Sequence, residues 1–190
     1  GVKAPVSLNN INQIVIQGSG IGSTTIKAIS VFSGSSLIGA TTNCTDILIQ
    51  DLTLDGNNLL GGNSATVNFA GTNTRITLLR VRIINASGAS TWAININNGT
   101  DIRVEDCISD SSGAIRLPTS QIRPYITGCQ VLNSGNAGIV VNGGSFGRIV
   151  GNTIRDMASG SSGIDVGGSS DMSIVGNTLT GTNAQILLED

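Results

Sequence analysis

The chain has 190 residues, of which 26 are Gly and 19 are Asn, with 3% aromatic and 12% charged residues. Its formal net charge is −2, and it contains 10 Lys and Arg, 12 Asp and Glu, and no His. The scattered Lys and Arg residues differ from the basic patch of a nucleic-acid-binding protein. The lack of His excludes a Cys/His zinc site, and no run of 18 apolar residues is present to span a membrane.

A short strand motif recurs along the chain after a lead or cap segment predicted over residues 1–12. Its apolar residues alternate, and its third position gives one anchor per copy: Ile16, Ile49, Leu78, Val104, Ile126, Ile149 and Ile174. The anchors lie 33, 29, 26, 22, 23 and 25 residues apart. A repeat of about 20 to 50 residues built of short strands is typical of a solenoid.

A second motif, small-apolar-x-apolar, lies between copies of the first, at 65–69, 93–96, 114–117, 138–141, 163–166 and 185–188. Each coil therefore has at least two short strands, and stacked coils pair equivalent strands in parallel. No segment has an apolar stripe at helical spacing. The sequence predicts an all-β fold, a parallel β-helix of about seven coils over residues 13–190, and the strong preference for right-handed parallel crossovers predicts its hand.

The last predicted strand runs to the end of the sequence, with no capping segment after it. Because exposed terminal coils are sticky parallel edges, they need a cover. We therefore expect either a longer parent chain or an oligomer, such as a homotrimer, that covers this end.

Inward-facing polar residues are predicted at one corner of the coil. Cys107 and Cys129 each follow their anchor by three residues on adjacent coils. Two interpretations stay open, a pair of buried thiols or a disulfide. Asn152 and Asn177 take the same position in later coils, where we expect an inward asparagine stack that satisfies backbone groups.

Several stretches resemble the pectate-lyase-like parallel β-helix superfamily. They are IVIQGSGIGSTTIK at 14–27, TDILIQDLTLDGN at 45–57, GNTI at 151–154 and GNTL at 176–179. The resemblance covers roughly residues 10–188, and motifs of this kind are common in phage tailspikes and in bacterial polysaccharide lyases and epimerases. It implies a protein outside the cell or on a virion surface that acts on polysaccharides along a groove of one sheet. The Asp-Pro-His-Glu motif of alginate epimerases is absent, which argues against that activity.

Outward residues at equivalent positions form columns along a β-helix, and two columns are polar. One holds Asn68, Asn95, Arg116, Val140 and Asp165; the other holds Asp51, Arg80 and Asp106. A cation can stabilise the charge that develops in uronate elimination, and carboxylates act in glycoside hydrolysis. The candidate catalytic residues are therefore Arg103, Asp106, Asp110, Arg116 and Asp165. The simpler interpretation of these charges is a solvated face with weak ion pairs between rungs.

The candidate substrate-binding residues are Trp92, Asn95 and Asn68, because aromatic rings stack on sugars and amides bond to hydroxyl groups. The sequence favours a polysaccharide-binding domain and leaves open whether it also depolymerises its ligand, as a polysaccharide lyase or a glycoside hydrolase. A non-catalytic receptor-binding β-helix and a structural rod or stalk stay open as alternatives. No cofactor is predicted; Ca²⁺ would need a cluster of oxygen ligands, and none is dense enough to predict a metal site.

Overall fold

A computed structural model describes residues 1–60, 65–86, 92–135, 137–158, 161–181 and 185–189. These ranges contain 23 β-strands and no helix. In chain order the strands are β1 (Val6–Ser7), β2 (Asn12–Gln17), β3 (Thr25–Lys27), β4 (Ile38–Ala40), β5 (Cys44–Asp55), β6 (Ala65–Phe69), β7 (Asn73–Ile84), β8 (Trp92–Ile96), β9 (Gly99–Thr100), β10 (Arg103–Glu105), β11 (Ile108–Asp110), β12 (Ala114–Leu117), β13 (Gln121–Ile122), β14 (Tyr125–Thr127), β15 (Gln130–Leu132), β16 (Ile139–Asn142), β17 (Gly144–Ser145), β18 (Arg148–Val150), β19 (Thr153–Arg155), β20 (Ile164–Gly167), β21 (Ser173–Val175), β22 (Thr178–Thr180) and β23 (Ile186–Glu189).

The strands stack into two parallel sheets. Sheet A has eight strands in the order β1-β4-β6-β8-β12-β16-β20-β23, and sheet B holds the other 15. Sheet B is built of three rows: a short row with β9, β13 and β17; an anchor row with β2, β10, β14, β18 and β21; and a downstream row with β3, β11, β15, β19 and β22. The long strands β5 and β7 run through all three rows, since their first residues pair with each other and β7 pairs with β9. Each coil passes from the anchor row to the downstream row and then to sheet A.

The anchors predicted from the sequence stack on one another in the structure. The register pairs Ile16 with Ile49, Ile49 with Leu78, Leu78 with Val104, Val104 with Ile126, Ile126 with Ile149, and Ile149 with Ile174. These contacts confirm the predicted parallel β-helix, and the seven anchors delimit six turns. The right-handed sense of winding stays a prediction.

The core is a stack of aliphatic side chains between sheet A and sheet B. Anchors in the middle coils, such as Leu78 and Val104, have no exposed surface, and neither does Ile115 of sheet A. Each coil touches mainly its two neighbours, so the end coils are less covered. In the last strand, Leu188 is 68% exposed.

The corners of each coil are single residues in the left-handed backbone conformation. The residue two positions after the anchor has positive φ at Asp51, Arg80, Asp106, Gly128, Gly151 and Gly176. The residue three positions before the anchor does the same at Gln13, Asp46, Arg75, Asp101, Arg123, Phe146 and Asp171. This conformation costs a non-glycine residue roughly 1–2 kcal/mol, so each corner is held by the strands on both sides of it.

The predicted inward column of Cys and Asn is confirmed. Cys107 and Cys129 are buried free thiols, so the disulfide interpretation is wrong for this structure. Asn152 Oδ1 accepts a hydrogen bond from the Cys129 backbone N–H at 2.9 Å, and its Nδ2 donates to the Ile126 carbonyl at 3.0 Å. Asn152 Nδ2 also donates to Asn177 Oδ1 at 2.9 Å, which links two rungs of the stack.

The lead segment enters the solenoid at its first rung. Strand β1 pairs with β4, so residues Val6 and Ser7 extend sheet A by one strand. The boundary predicted at residue 12 stays a prediction. In the described ranges, no helix is long and apolar enough to cross a membrane.

Candidate functional site

Sheet A presents one outward column of side chains along the solenoid. The register stacks Ser7, Gly39, Asn68, Asn95, Arg116, Val140, Asp165 and Leu187. The five members predicted from the sequence, Asn68 to Asp165, are thereby confirmed as a column. With rungs about 4.8 Å apart, the stretch from Ser7 to Asp165 is roughly 29 Å long.

The middle of this column is a chain of hydrogen bonds. Asn95 Nδ2 donates to Asn68 Oδ1 at 2.9 Å, and Arg116 Nη1 donates to Asn95 Oδ1 at 3.1 Å. The two bonds fix the orientation of the Asn95 amide. One amide N–H₂ group on Asn68 and several N–H groups on Arg116 remain as donors.

Trp92 joins this chain through its ring. The Arg116 guanidinium carbon lies 4.7 Å from the centre of the Trp92 ring. Trp92 is the first residue of β8, where the register shifts relative to β12 between Ala114 and Ile115. Such irregularities change the direction of side chains, and the Arg–Trp contact lies next to this one. We call Asn68, Trp92, Asn95 and Arg116 the sheet A cluster.

The charge of Arg116 has no carboxylate partner within the part of the chain that the structure describes. Burial lowers the pKa of its guanidinium from the ordinary value, because a low-dielectric surrounding disfavours the charged form. A guanidinium with a fixed plane and free N–H donors is well suited to bind a carboxylate in a bidentate manner. The sheet A cluster therefore presents guanidinium donors whose chemistry suits an anionic group.

A cleft adjoins the cluster on its N-terminal side. It has a volume of about 310 Å³, and its lining includes Ser7, Gly39 and Asn68 of the outward column. Pro5 and Gly34 form part of its walls. A Cβ atom on Gly39 would collide with the Asn68 carbonyl oxygen, so the chain packs closely at this rung. The cleft and the cluster share Asn68 and form one continuous surface.

Asp165 lies two rungs beyond Arg116, separated from it by Val140. Burial raises the pKa of the Asp165 carboxyl, and the negative charge of Glu189 raises it further. Its Oδ1 atom is buried and has no hydrogen-bond partner among the described residues. The rung spacing places Asp165 roughly 10 Å from Arg116, so the two share a face without contact.

The structure does not gather the five candidate catalytic residues into one site. Arg103 lies in the anchor row, Asp106 at the corner after it, and Asp110 in the downstream row. Arg103 pairs with Glu105 at 3.2 Å, and Asp110 with Arg82 at 3.5 Å. No hydrogen bond or ion pair of the described structure joins two of the five. Their catalytic roles stay predictions.

In the predicted column of Asp51, Arg80 and Asp106, the first two residues form an ion pair. Arg80 donates to both carboxylate oxygens of Asp51, at 2.7 and 2.9 Å. This bond is the main cause that lowers the pKa of the Asp51 carboxyl. The simpler interpretation, structural ion pairs between rungs, fits Asp51 and Arg80.

Sequence reasoning missed a parallel column at the other corner. Arg75 bonds to Asp46, and Arg123 donates to both oxygens of Asp101 at 2.7 and 2.8 Å. The next member of this column is Phe146, which the sequence analysis did not consider. All five residues lie three positions before their anchors, and this common spacing would have predicted the column from the sequence.

Among the described residues, no group of three or more Cys, Asp or Glu side chains lies close enough to hold a metal ion. Comparison with known proteins adds no family: no protein-family model matches the sequence, and no curated protein matches it.

Proposed function

We propose that sheet A binds an acidic polysaccharide, with Arg116 as the residue that recognises a sugar carboxylate. The single observation that carries this proposal is the sheet A cluster, in which a half-buried guanidinium lies on Trp92 and bonds to Asn95 without a carboxylate partner among the described residues. Arginine binds carboxylates in a planar, bidentate manner that lysine cannot reproduce.

The neighbouring groups suit the rest of a sugar. Trp92 offers an amphipathic ring, and the Asn68 amide offers donors to hydroxyl groups. The adjoining cleft of about 310 Å³ falls within the range of small-molecule sites, about 300–1,000 Å³. A glycan chain that follows the solenoid axis would contact the cleft and the cluster with successive units.

The repeated strand motifs and the parallel β-helix support a wider proposal, that the chain is a pectate-lyase-like β-helix of an extracellular or virion-surface protein. Fold alone does not define activity. The proposal for the site therefore rests on the sheet A cluster.

Depolymerisation is a second candidate function, favoured by Asp165. Burial raises the pKa of this carboxyl and leaves its Oδ1 without a described partner. A carboxyl group held protonated nearer to neutral pH is suited to act as a general acid. Asp165 lies on the same face as Arg116, so a bound glycan would reach both.

Binding is tested with the purified chain, polygalacturonate, alginate and a neutral glucan, by affinity electrophoresis and titration calorimetry. We expect the two acidic glycans to bind and the neutral one to bind at least tenfold more weakly. Arg116→Gln removes the charge but keeps an amide near Asn95, and it should weaken acidic-glycan binding by about 10- to 100-fold, since hydrogen bonds to charged groups contribute about 1.5–3 kcal/mol.

The matched control is Arg155→Gln, the same substitution on the downstream row, where the side chain is 54% exposed. It should bind as the wild type does. Equal binding by both variants would refute the role of Arg116, and a folded wild type that retains no acidic glycan would favour a structural rod. Unsaturated-uronate absorbance and new reducing ends, both lost in Asp165→Asn, would establish lyase or hydrolase activity.

A further inference from the structure

A second cluster of cationic and aromatic side chains lies on the anchor row of sheet B. It surrounds a cleft of about 360 Å³ that is lined by Asp101, Arg103, Arg123, Tyr125, Phe146 and Arg148. We call this the anchor-row cleft. None of these side chains belongs to the sheet A cluster, and only Arg103 was a predicted site residue.

The charges of the cleft are unbalanced. Three guanidinium groups and one carboxylate line it, for a net charge of +2. Arg123 is held by two hydrogen bonds to Asp101, and Arg103 by one to Glu105 at 3.2 Å. Arg148 makes no ion pair or side-chain hydrogen bond within the described structure. Its N–H donors are available to an anion at the wall of the cleft.

Two aromatic rings line the cleft beside the guanidinium groups. Tyr125 pairs in register with Arg103 on one rung and with Arg148 on the next, so the three residues form one column. The Arg103 guanidinium carbon is 5.4 Å from the centre of the Tyr125 ring. Phe146 is 65% exposed and has a φ of 57°. The equivalent corner residues of neighbouring coils, such as Arg123 and Asp171, have the same left-handed φ, so this conformation belongs to the fold. What distinguishes Phe146 is an exposed aromatic ring at the wall of the cleft.

The cleft has a local cause in the coil beneath it. Two positions before the anchor, other coils place Ile47, Ile76 and Ile102 in the core. The same position is Pro124 in one coil and Gly147 in the next, and Pro124 also lines the cleft. A Cβ atom on Gly147 would lie 2.6 Å from Pro124 Cγ, so the backbone here is packed closely on its neighbour. The two rungs that carry Pro124 and Gly147 at this position are rungs on which the cleft lies.

We propose that the anchor-row cleft binds one carboxylate-bearing pyranose unit, with Arg148 on the carboxylate and Phe146 against the C–H face of the ring. The volume is near the lower end of small-molecule sites, about 300–1,000 Å³, which suits one or two sugar rings. Guanidinium groups pair with planar carboxylates. This site does not rest on the proposed function of sheet A, because the two surfaces share no residue.

The test is an NMR titration with three probes: D-galacturonic acid, neutral galactose, and acetate. The chain has one Tyr and one Trp, so ring resonances of Tyr125 report on the anchor-row cleft and those of Trp92 on the sheet A cluster. We expect galacturonic acid to shift the Tyr125 resonances with an affinity at least tenfold higher than that of galactose or acetate.

Arg148→Gln and Phe146→Ala should each weaken this response at least fivefold, while Arg116→Gln and the control Arg155→Gln leave it unchanged. Both cleft variants alter exposed side chains, and circular dichroism checks that they fold. Equal affinity for acetate, or unchanged binding in both cleft variants, would overturn the proposal. Shifts of the Trp92 resonances alone would overturn the proposal for the anchor-row cleft and leave the sheet A proposal standing. Shifts of the Tyr125 resonances alone would support the anchor-row cleft and count against the sheet A proposal.

Discussion

Asn152 is the residue whose replacement tests the energetics of the solenoid most directly. Its side chain is 1% exposed and bonds to two backbone groups of the preceding coil, the Cys129 N–H and the Ile126 carbonyl. Asn152→Ala removes both bonds and leaves both groups buried. Each unsatisfied buried group costs about 1–3 kcal/mol, so we expect the free energy of unfolding to fall by about 2–6 kcal/mol.

The measurement is urea unfolding followed by circular dichroism, with the midpoint and the slope fitted separately. An unchanged slope assigns the difference to stability rather than to a changed denatured state. The matched control is Asn177→Ala, one rung further along the same column. Asn177 is half-buried in the last coil and donates to the Ile149 carbonyl at 2.8 Å. Its Oδ1 also accepts hydrogen bonds from the Asn152 N–H and Nδ2, both at 2.9 Å. Because Asn177 is partly exposed, water can reach these groups in the variant, and we expect a loss of about 0.5–1.5 kcal/mol. If Asn152→Ala costs no more than Asn177→Ala, the buried backbone groups do not depend on the asparagine stack, and the reasoning is refuted.

Two further predictions follow from perturbed titratable groups. The folded-state pKa of Asp165 is raised, so its ionisation disfavours the native state as pH rises above the unfolded pKa of about 3.9. Asp165→Asn should therefore raise the melting temperature at pH 7 and have little effect at pH 3. Thermal melts of the wild type and the variant check this, and an equal difference in melting temperature at pH 3 and pH 7 would contradict it. The three thiols are buried, and burial raises the pKa of Cys44. A thiol-specific chromogenic reagent should label none of the cysteines in the native protein and all three in urea, and labelling of the folded chain at the denatured rate would show that the coils open.

The sequence predicted the fold because a solenoid repeats one local pattern. Alternating apolar residues define each strand, and the interval between anchors defines the register, so the outward column from Asn68 to Asp165 could be read without coordinates. The same register brought Asn95 next to both Asn68 and Arg116, as the hydrogen bonds confirm. Such contacts can be predicted from a repeat because each coil contacts only its neighbours.

The remaining features depend on details that a strand pattern does not contain. The stacking of Arg116 on Trp92 involves a register shift between β8 and β12. The anchor-row cleft lies where Pro124 and Gly147 replace the Ile of earlier coils, and Phe146 lines it from a corner position that holds polar residues in the other coils. The described coils contain up to four strand rows, whereas the sequence predicted at least two strands per coil. Some of the additional strands have only two residues, which are too few to show an alternating pattern.

The corner columns also bear on how the chain finds its correct stacking order. Aliphatic rungs are nearly interchangeable, so a folding chain that skips one coil can still place Ile on Leu. The charges are not interchangeable: Asp46, Arg75, Asp101 and Arg123 alternate in sign along one corner, as do Asp51, Arg80 and Asp106 along the other. Omitting the coil that carries Arg75 and Arg80 would bring Asp46 toward Asp101 and Asp51 toward Asp106, like charges one rung apart. Exposed ion pairs contribute little to native stability. We infer that they still disfavour a misfolded solenoid in which one coil has been skipped, because that arrangement places like charges on adjacent rungs.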